Sequence, residues 1–293
     1  MAQEEIDPID DGVTIDQETG LPVFVDESGE EHRLGMLPPT EEEENLLQAG
    51  DESLPEVDES KYKIVTHEEC KRIVEGFLAL FLLNQKNHGS CVGFSAAGAL
   101  MWLLYFSGYL KAGMKLSGAY IYSWINGNRD AGASIVAALN ALKQYGTCLE
   151  ATVGWNTIYR RQMPDGADTE AKRFMLEMGM RISGYRNIVS ALQVGKPVQI
   201  GVQAGNAFNR FDDEGVCGYA GRGSNHSVFV APLAVRKKNG QLKFPMLNSW
   251  GNWGPWKTGW AYVDERHLVG GGGGFLHGTP NLDPQNPDFP PAI

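Results

Sequence analysis

The sequence predicts an α+β protein in which a helical half precedes a sheet half. Segments with helical spacing of apolar residues occupy residues 66–145, whereas short β-rich segments separated by Gly, Pro and Asn turns follow from about residue 181. The chain has 293 residues, 42% of them hydrophobic, so it can bury a substantial core. No apolar run reaches the roughly 18 residues that span a bilayer, so we expect no membrane segment.

An acidic N-terminal arm, residues 1–60, precedes this body. The arm contains 20 of the 36 acidic residues and one of the 25 basic residues, Arg33, so the rest of the chain has a net positive charge. Residues 21–34 predict a pair of strands, and residues 40–53 predict a short helix that begins at Thr40. A solvated, disordered arm is the commoner case for an acidic segment of this composition. The alternative is that the arm docks on the body or on a partner, for which charge attraction and the apolar stretches LPVFV and LGMLPP argue.

The helical half covers about residues 61–180. Its predicted helices are residues 66–83, 91–107, 134–145 and 169–179. The first has a capping box formed by Thr66 and Glu69. The second is apolar nearly all round and ends at Gly108, which predicts a central, buried helix.

The sheet half covers about residues 181–268. Its β-rich segments are RISGY, PVQIGVQAG, HSVFVAPLAVRKK, LKFPMLNSW and GWAYVDE. Residues 269–293 are rich in Gly and Pro, which predicts an extended C-terminal tail.

Several functional classes are disfavoured by the sequence. The four cysteines are widely spaced and form no CxxC pair, so we expect no metal site, and we expect no cofactor. The start of the chain lacks the basic and then apolar regions of a secretory leader, which predicts a cytoplasmic protein, or a particle component assembled there, without disulfides. The sequence has no basic stripe with interleaved aromatic residues, so we do not expect it to bind nucleic acid.

Cys91 occupies an unusual position for a packing cysteine, although an inert, buried thiol is the commoner case. In the stretch NQKNHGSCVGFSAAGAL, a polar loop leads into the apolar helix, and Ser90 is the candidate N-cap. Cys91 therefore begins that helix, where free N–H groups and the helix dipole favour a thiolate. This position predicts a nucleophile.

A nucleophilic thiol needs a base, a group that orients the base, and donors for an oxyanion. His226 begins a β-rich segment, and Asn248 in a later segment can orient its imidazole. Trp250 can keep water from that hydrogen bond. Gln85, six residues before Cys91, can supply a side-chain N–H next to the backbone N–H of the cysteine.

These segments resemble the active-site motifs of papain-like cysteine peptidases. The stretch around Cys91 is similar to the family's segment with Gln six residues before the nucleophile. NHSVFVAPLAV is similar to its Asn/Asp-His strand, and LNSWGNWG to its Asn-Ser-Trp-Gly motif. The order Cys91, His226, Asn248 is that of the family. The resemblance covers about residues 61–268.

The resemblance implies a papain-like two-subdomain fold, with a helical left half, a β-barrel right half and an active-site cleft between them. The implied catalytic residues are the nucleophile Cys91, the base His226, the orienting Asn248 and the oxyanion donor Gln85. The implied substrate-binding residues are Gly132, Ser90 and Asn225, and Trp250 is implied as structural support. The implied partner is a peptide or protein substrate.

Three departures from the family pattern are noted. Val92 follows the nucleophile, where the family usually has an aromatic residue, and His88 stands where secreted members have a disulfide cysteine. The absence of that cysteine agrees with a reducing compartment. The family's helical pro-region signature is absent from residues 1–60.

Three functions remain open from the sequence. A cysteine endopeptidase is the first. A structural or binding component, for instance of a phage or viral particle, on a papain-like fold is the alternative from another class. A related Cys-His acyl transferase, such as a transglutaminase or a cell-wall amidase, is the third. Selective labelling of Cys91 by a thiol reagent would favour an enzyme.

Overall fold

The computed structural model of the protein describes residues 12–41, 43, 57–270, 274–277 and 280–281. The α-helices are α1 (His67–Phe81), α2 (Cys91–Phe106), α3 (Gly118–Ile125), α4 (Ile135–Gln144), α5 (Ala167–Ala171), α6 (Tyr185–Gln193) and α7 (Glu265–Gly270). The strands are β1 (Val13–Ile15), β2 (Pro22–Val25), β3 (Glu31–Arg33), β4 (Ile64–Val65), β5 (Met175–Leu176), β6 (Gly179–Ile182), β7 (Val198–Val202), β8 (His226–Val230), β9 (Ala234–Arg236), β10 (Leu242–Leu247), β11 (Trp260–Val263), β12 (Gly274–His277) and β13 (Pro280–Asn281).

Helix α2 lies at the centre of the molecule, as its composition predicted. Residues 91–104 are all buried, because α3, α4 and strand β8 pack around the helix. Thr66 caps α1 as predicted, and Ser134 caps α4. The Thr66 hydroxyl accepts a hydrogen bond from the N–H of Glu69 at 3.1 Å, and the Ser134 hydroxyl accepts one from Ala137 at 3.0 Å.

The helix predicted over residues 169–179 is only partly present. Helix α5 ends at Ala171, and the chain continues as β5 and β6. Tertiary packing decides against the longer helix, because Phe174 and Leu176 are buried in the helical core and the strands pair with β13 and β12. Helix α3 was not predicted, although Ser117 caps it by accepting a hydrogen bond from Tyr120 at 3.0 Å.

The sheet half is built on one eight-stranded sheet. The strand order is β4-β9-β10-β8-β7-β12-β6, and β11 pairs with the other edge of β10. Strand β8 pairs antiparallel with both β7 and β10 and packs against α2, so it joins the two halves. The expected barrel is not closed within the described part of the chain, where the pairing forms an open path.

Only part of the C-terminal tail expected from residue 269 falls within the described residues. Strand β12 lies between β7 and β6 and pairs antiparallel with both. Gly274 is needed there for space, because a Cβ atom would lie 2.5 Å from Cγ1 of Val198. The folded body therefore extends past residue 268, because β12 is part of its sheet.

The described part of the arm folds onto the body. Strands β1, β2 and β3 form an antiparallel sheet, and the predicted strand pair within residues 21–34 is confirmed as β2 and β3. The apolar side chains of Phe24 and Leu34 are buried in the core of the sheet half. Most of the helix predicted over residues 40–53 falls outside the described residues.

The four cysteines, Cys70, Cys91, Cys148 and Cys217, are free and buried. Among the described residues, no helix has the length and apolar character needed to cross a membrane.

Candidate active site

The Cys91 side chain lies at the start of α2 and is completely buried. Backbone N–H groups of Ser227, Gly35 and Val92 interact with its sulfur. Ser227 belongs to β8 and Gly35 belongs to the arm, so the sulfur lies where the helical half, the sheet half and the arm meet. Burial raises the pKa of the Cys91 thiol to about 11, against the lowering effect of these N–H groups.

Ser90 precedes α2, but its side chain does not cap the helix. Its φ and ψ are −98° and 15°, outside the extended region that N-cap residues use, and its hydroxyl makes no cap hydrogen bond. The hydroxyl is buried without a hydrogen-bond partner among the described residues. The capping role predicted for Ser90 is therefore wrong, whereas its substrate-binding role stays a prediction.

Gln85 is fixed with its amide N–H groups directed into the cleft. The Ser249 hydroxyl donates a hydrogen bond to Gln85 Oε1 at 2.5 Å, which orients the amide. Gln85 Nε2 then donates to the carbonyl oxygen of His88 at 2.7 Å and to that of Arg33 at 3.1 Å. An arm carbonyl thus occupies the position where the predicted oxyanion donor acts.

His226 and Asn248 form the predicted pair. The distance between His226 Nε2 and Asn248 Oδ1 is 2.8 Å, and the same oxygen accepts the N–H of Ser249 at 2.7 Å. Because this oxygen is an acceptor, His226 Nε2 carries the proton and Nδ1 keeps its lone pair. His226 Nδ1 has no hydrogen-bond partner among the described residues, so it is available to accept a proton.

Trp250 packs against His226, where it can shield the His226–Asn248 hydrogen bond from water. Its ring centroid lies 4.6 Å from that of His226. The ring of His32, from the arm, stacks on Trp250 with a centroid distance of 4.3 Å. Phe24 of the arm stacks further out, at 6.0 Å from Trp250. The arm therefore extends the aromatic cover over the base.

Arm residues 33–37, here named the cleft segment, cross the site as an extended strand that bridges both halves. Gly35 O accepts the N–H of Ala133 at 2.8 Å, and the N–H of Leu37 donates to Ala133 O at 2.9 Å. On the sheet side, the N–H of Met36 donates to Asn225 O at 3.1 Å. These backbone hydrogen bonds show that the cleft holds an extended peptide.

The backbone contact expected at Gly132 is made by its neighbour. The Gly132 N–H donates to the hydroxyl of Tyr122 at 2.9 Å, whereas Ala133 bonds the cleft segment. Asn225 contacts the segment through its carbonyl, because its side chain is held by Ala204 at 2.7 and 3.0 Å. Both residues thus line the cleft, and their action on a substrate remains predicted.

A buried polar network next to the start of α2 was missed in the sequence. Gln199 Nε2 donates to Ser95 Oγ at 2.6 Å, to Ser227 Oγ at 3.0 Å and to the carbonyl of Val92 at 3.0 Å. These bonds tie α2 to β7 and β8 and fix the start of the helix. The signal was available, since Ser95 and Gln199 are polar residues in otherwise apolar segments.

One trio of candidate metal ligands occurs among the described residues, in the β2–β3 hairpin. Ligand atoms of Asp26, Glu30 and His32 lie within 4.8 Å of one another. His32 Nε2 lies 3.0 Å from Asp26 Oδ2, so the trio is already paired internally. We assign no ion to it.

With the arm docked, Cys91 and His226 are both uncharged at neutral pH. Burial lowers the pKa of His226 to about 3, although the hydrogen bond to Asn248 favours the charged form; the nearby His32 acts in the same direction as burial. A neutral thiol is a poor nucleophile. Exposure of the site to water would bring the pKa values of Cys91 and His226 back toward their ordinary values.

Acidification should weaken docking of the arm. A histidine with a pKa of about 3 when docked, and an ordinary value near 6.5 when released, takes up its proton preferentially in the released state as the pH falls from 6.5 to 3. Protection of the Met36 and Leu37 amides against hydrogen–deuterium exchange, corrected for intrinsic rates, should fall by roughly one to three orders of magnitude over that range. Amides of β7 serve as the control for global unfolding. Constant protection of the cleft segment would contradict the coupling.

The fold is that of known cysteine proteases. No protein-family model matches the chain, and no curated protein sequence matches it. The chain is similar to the solved structure of the proform of the ragweed pollen cysteine protease Amb a 11, with a TM-score of 0.56, 21% sequence identity, and coverage of 72% of this chain and 64% of that chain. It is also similar to xylellain from Xylella fastidiosa, with a TM-score of 0.53, 17% identity, and coverage of 77% of this chain and 94% of that chain. A third similar structure is bromelain from Ananas comosus with the E64 inhibitor, with a TM-score of 0.52, 18% identity, and coverage of 69% of this chain and 94% of that chain. The chain thus spans less than two thirds of the Amb a 11 chain. The protein has the fold of the papain-like cysteine proteases.

Proposed function

We propose that the chain is a cysteine endopeptidase whose own arm blocks its cleft. The observation that carries this proposal is the cleft segment itself, an extended peptide whose Arg33 carbonyl oxygen lies 3.1 Å from Gln85 Nε2 and whose Gly35 N–H interacts with the Cys91 sulfur. A cleft that binds peptide backbone at a cysteine, beside a histidine with a free nitrogen, fits the chemistry of peptide hydrolysis.

In the proposed mechanism, release of the arm hydrates the site and restores ordinary proton affinities. His226 Nδ1 takes the thiol proton, and the Cys91 sulfur attacks the substrate carbonyl carbon. Gln85 Nε2 and the backbone N–H of Cys91 stabilise the oxyanion. The imidazolium gives its proton to the leaving amine, and water then hydrolyses the thioester with His226 as base. Asn248 keeps the ring oriented throughout.

The docked arm gives the proposed enzyme an off state. The cleft segment fills the substrate path, and the surrounding arm buries the catalytic pair. One of the similar structures, Amb a 11, is a proform, which supports an inhibitory role for residues before the body. In this chain the proposed inhibitory segment lacks the helical pro-region signature of the family.

Thiol labelling of the native, full-length chain tests the proposal. All four cysteines are buried, with exposed fractions of 0% or 1%, so exposure alone predicts equal and slow labelling. We expect iodoacetamide and E64 to modify Cys91 at least about tenfold faster than the matched control Cys148, because local release of the arm exposes an activated thiol. Peptide hydrolysis should disappear as Cys91 is modified.

The other two candidate functions predict different results. A structural or binding component predicts slow, equal labelling of all four thiols and no turnover. An acyl transferase predicts selective labelling of Cys91 together with transfer of the acyl group to an added amine in preference to water. Either result would replace the peptidase assignment.

A further inference from the structure

Asp130 forms a fixed acidic group at the helical rim of the cleft. Its carboxylate is 5% exposed. Oδ1 accepts hydrogen bonds from the N–H of Gly89 at 2.9 Å and from the hydroxyl of Tyr122 at 2.8 Å. Both of these donors belong to the body, so they hold the carboxylate in one orientation whether or not the arm is docked.

The second oxygen of Asp130 faces the cleft. Oδ2 lies 3.3 Å from Nη1 of Arg33 and 3.4 Å from Nδ1 of His88. Burial opposes ionisation of Asp130, but hydrogen bonds from His88, Tyr122 and Gly89 outweigh it and keep the pKa of the carboxyl below its usual value. A buried, ionised carboxylate with one oxygen open to the cleft needs a cation.

Arg33 shows which cation fits. Its carbonyl oxygen is the one held by Gln85 Nε2, so a single residue places its backbone at the predicted oxyanion donor and its guanidinium at Asp130. The other acidic partner of Arg33 is Asp16, at 2.8 Å, which belongs to the arm and leaves with it. Release of the arm therefore removes the guanidinium from Asp130 Oδ2 and leaves His88 Nδ1, at 3.4 Å, as the basic side chain next to that oxygen.

The remaining charged and titratable groups around this position are few. The cavity has a volume of about 370 Å³, and its body residues are His88, Arg129, Asp130, Ala131 and Tyr159. Arg129 is exposed at the rim, where water screens its charge. Asp130 is thus the buried charge that a substrate side chain meets in this cavity.

We infer that Asp130 is a specificity-determining residue that selects peptides with Arg or Lys at the residue whose carbonyl binds at Gln85. As a statement about substrate hydrolysis, the inference rests on the proposed function. As a statement about peptide binding in the cleft, it holds without catalysis. A charge-assisted hydrogen bond at a largely buried position corresponds to a preference of about tenfold to a hundredfold.

Binding to the full-length Cys91→Ala chain tests recognition without catalysis. The probes are two fluorescent nonapeptides with the sequence of residues 30–38, one with Arg and one with the neutral isostere citrulline at the position of Arg33. The arm competes equally with both peptides, so the ratio of their dissociation constants does not depend on how often the arm is released. We expect the Arg peptide to bind about tenfold to a hundredfold more tightly.

Asp130→Asn should bring this ratio close to one, because the amide keeps the size and the Oδ1 acceptor of Asp130 but loses the charge. The matched control is Asp213→Asn, which removes an exposed carboxylate paired with Lys238 at 2.6 Å. The control should leave the ratio unchanged. A ratio near one in the parent chain, or a ratio that survives Asp130→Asn, would overturn the inference.

Competition between Arg and citrulline peptides as substrates of the chain with Cys91 intact separates the two proposals. Hydrolysis with the same preference in kcat/KM supports both. Hydrolysis without preference overturns the role of Asp130 and leaves the peptidase standing. Binding preference without hydrolysis of either peptide overturns the peptidase and leaves Asp130 as a recognition residue.

Discussion

Replacement of Cys91 by alanine should lower peptide hydrolysis by at least about four orders of magnitude, because the sulfur is the proposed nucleophile and no other thiol lies in the cleft segment's path. His226→Ala should cause a loss of similar size. The two groups act as one unit, so the double variant should lose no more activity than either single variant. Steady-state kinetics with a fluorogenic peptide, on chains that keep their melting temperature, provide the measurement.

Asn248 should matter less than His226. Its Oδ1 holds Nε2 of the imidazole at 2.8 Å and does not touch the reacting atoms, so Asn248→Ala loosens the base without removing it. His67→Ala is a suitable histidine control, since its Nδ1 lies 3.0 Å from the hydroxyl of Tyr262, away from the cleft. A larger loss in His88→Ala than in His226→Ala would contradict the assignment of the base.

The residues of the proposed catalytic group could be located from sequence because each carries a local signal. Cys91 begins an apolar helix, and His226 and Asn248 stand at the ends of β-rich segments with the spacing of a known family. Gln85 has the weakest local signal, because a glutamine in a polar loop has no distinctive pattern beyond its place six residues before Cys91. The structure adds what fixes its amide, the hydroxyl of Ser249, which is 164 residues away in sequence.

The path of the arm could be predicted only in part. The apolar stretches suggested anchors, and Leu34 and Met36 are indeed buried. The overall charges suggested attraction between an acidic arm and a basic body, but the ion pair at the cleft has the opposite polarity, with Arg33 from the arm and Asp130 from the body. The register depends on close contacts between distant backbones, which composition does not encode.

Asp130 was missed for the same reason. Its role depends on Tyr122, Gly89 and Arg33, which come from a helix, a loop and the arm. Strand β12 was missed because it follows a run of glycines, which have low strand propensity. Pairing on both sides with β6 and β7 overrides that local preference.

Gly35→Ala should release the arm from the cleft. The backbone of Gly35 is not left-handed, so glycine is required there for space and not for conformation. A Cβ atom would overlap the Gly89 carbonyl oxygen and lie 2.6 Å from the Gly89 Cα, and backbone at such distances must shift. Overpacking of this kind costs about 1–3 kcal/mol, which corresponds to roughly a tenfold to hundredfold rise in the released fraction.

Three measurements on the full-length Gly35→Ala chain should therefore change together. Labelling of Cys91 and peptide hydrolysis should rise by about tenfold to a hundredfold, and exchange protection of the Met36 and Leu37 amides should fall by the same factor. The matched control is Gly76→Ala on α1, where an added Cβ meets no atom within 4 Å; all three values should stay as in the parent chain. If Gly35→Ala loosened the cleft segment without raising either labelling or hydrolysis, the arm would hold no inhibitory role, since the obstruction to Cys91 would have to lie in the body itself.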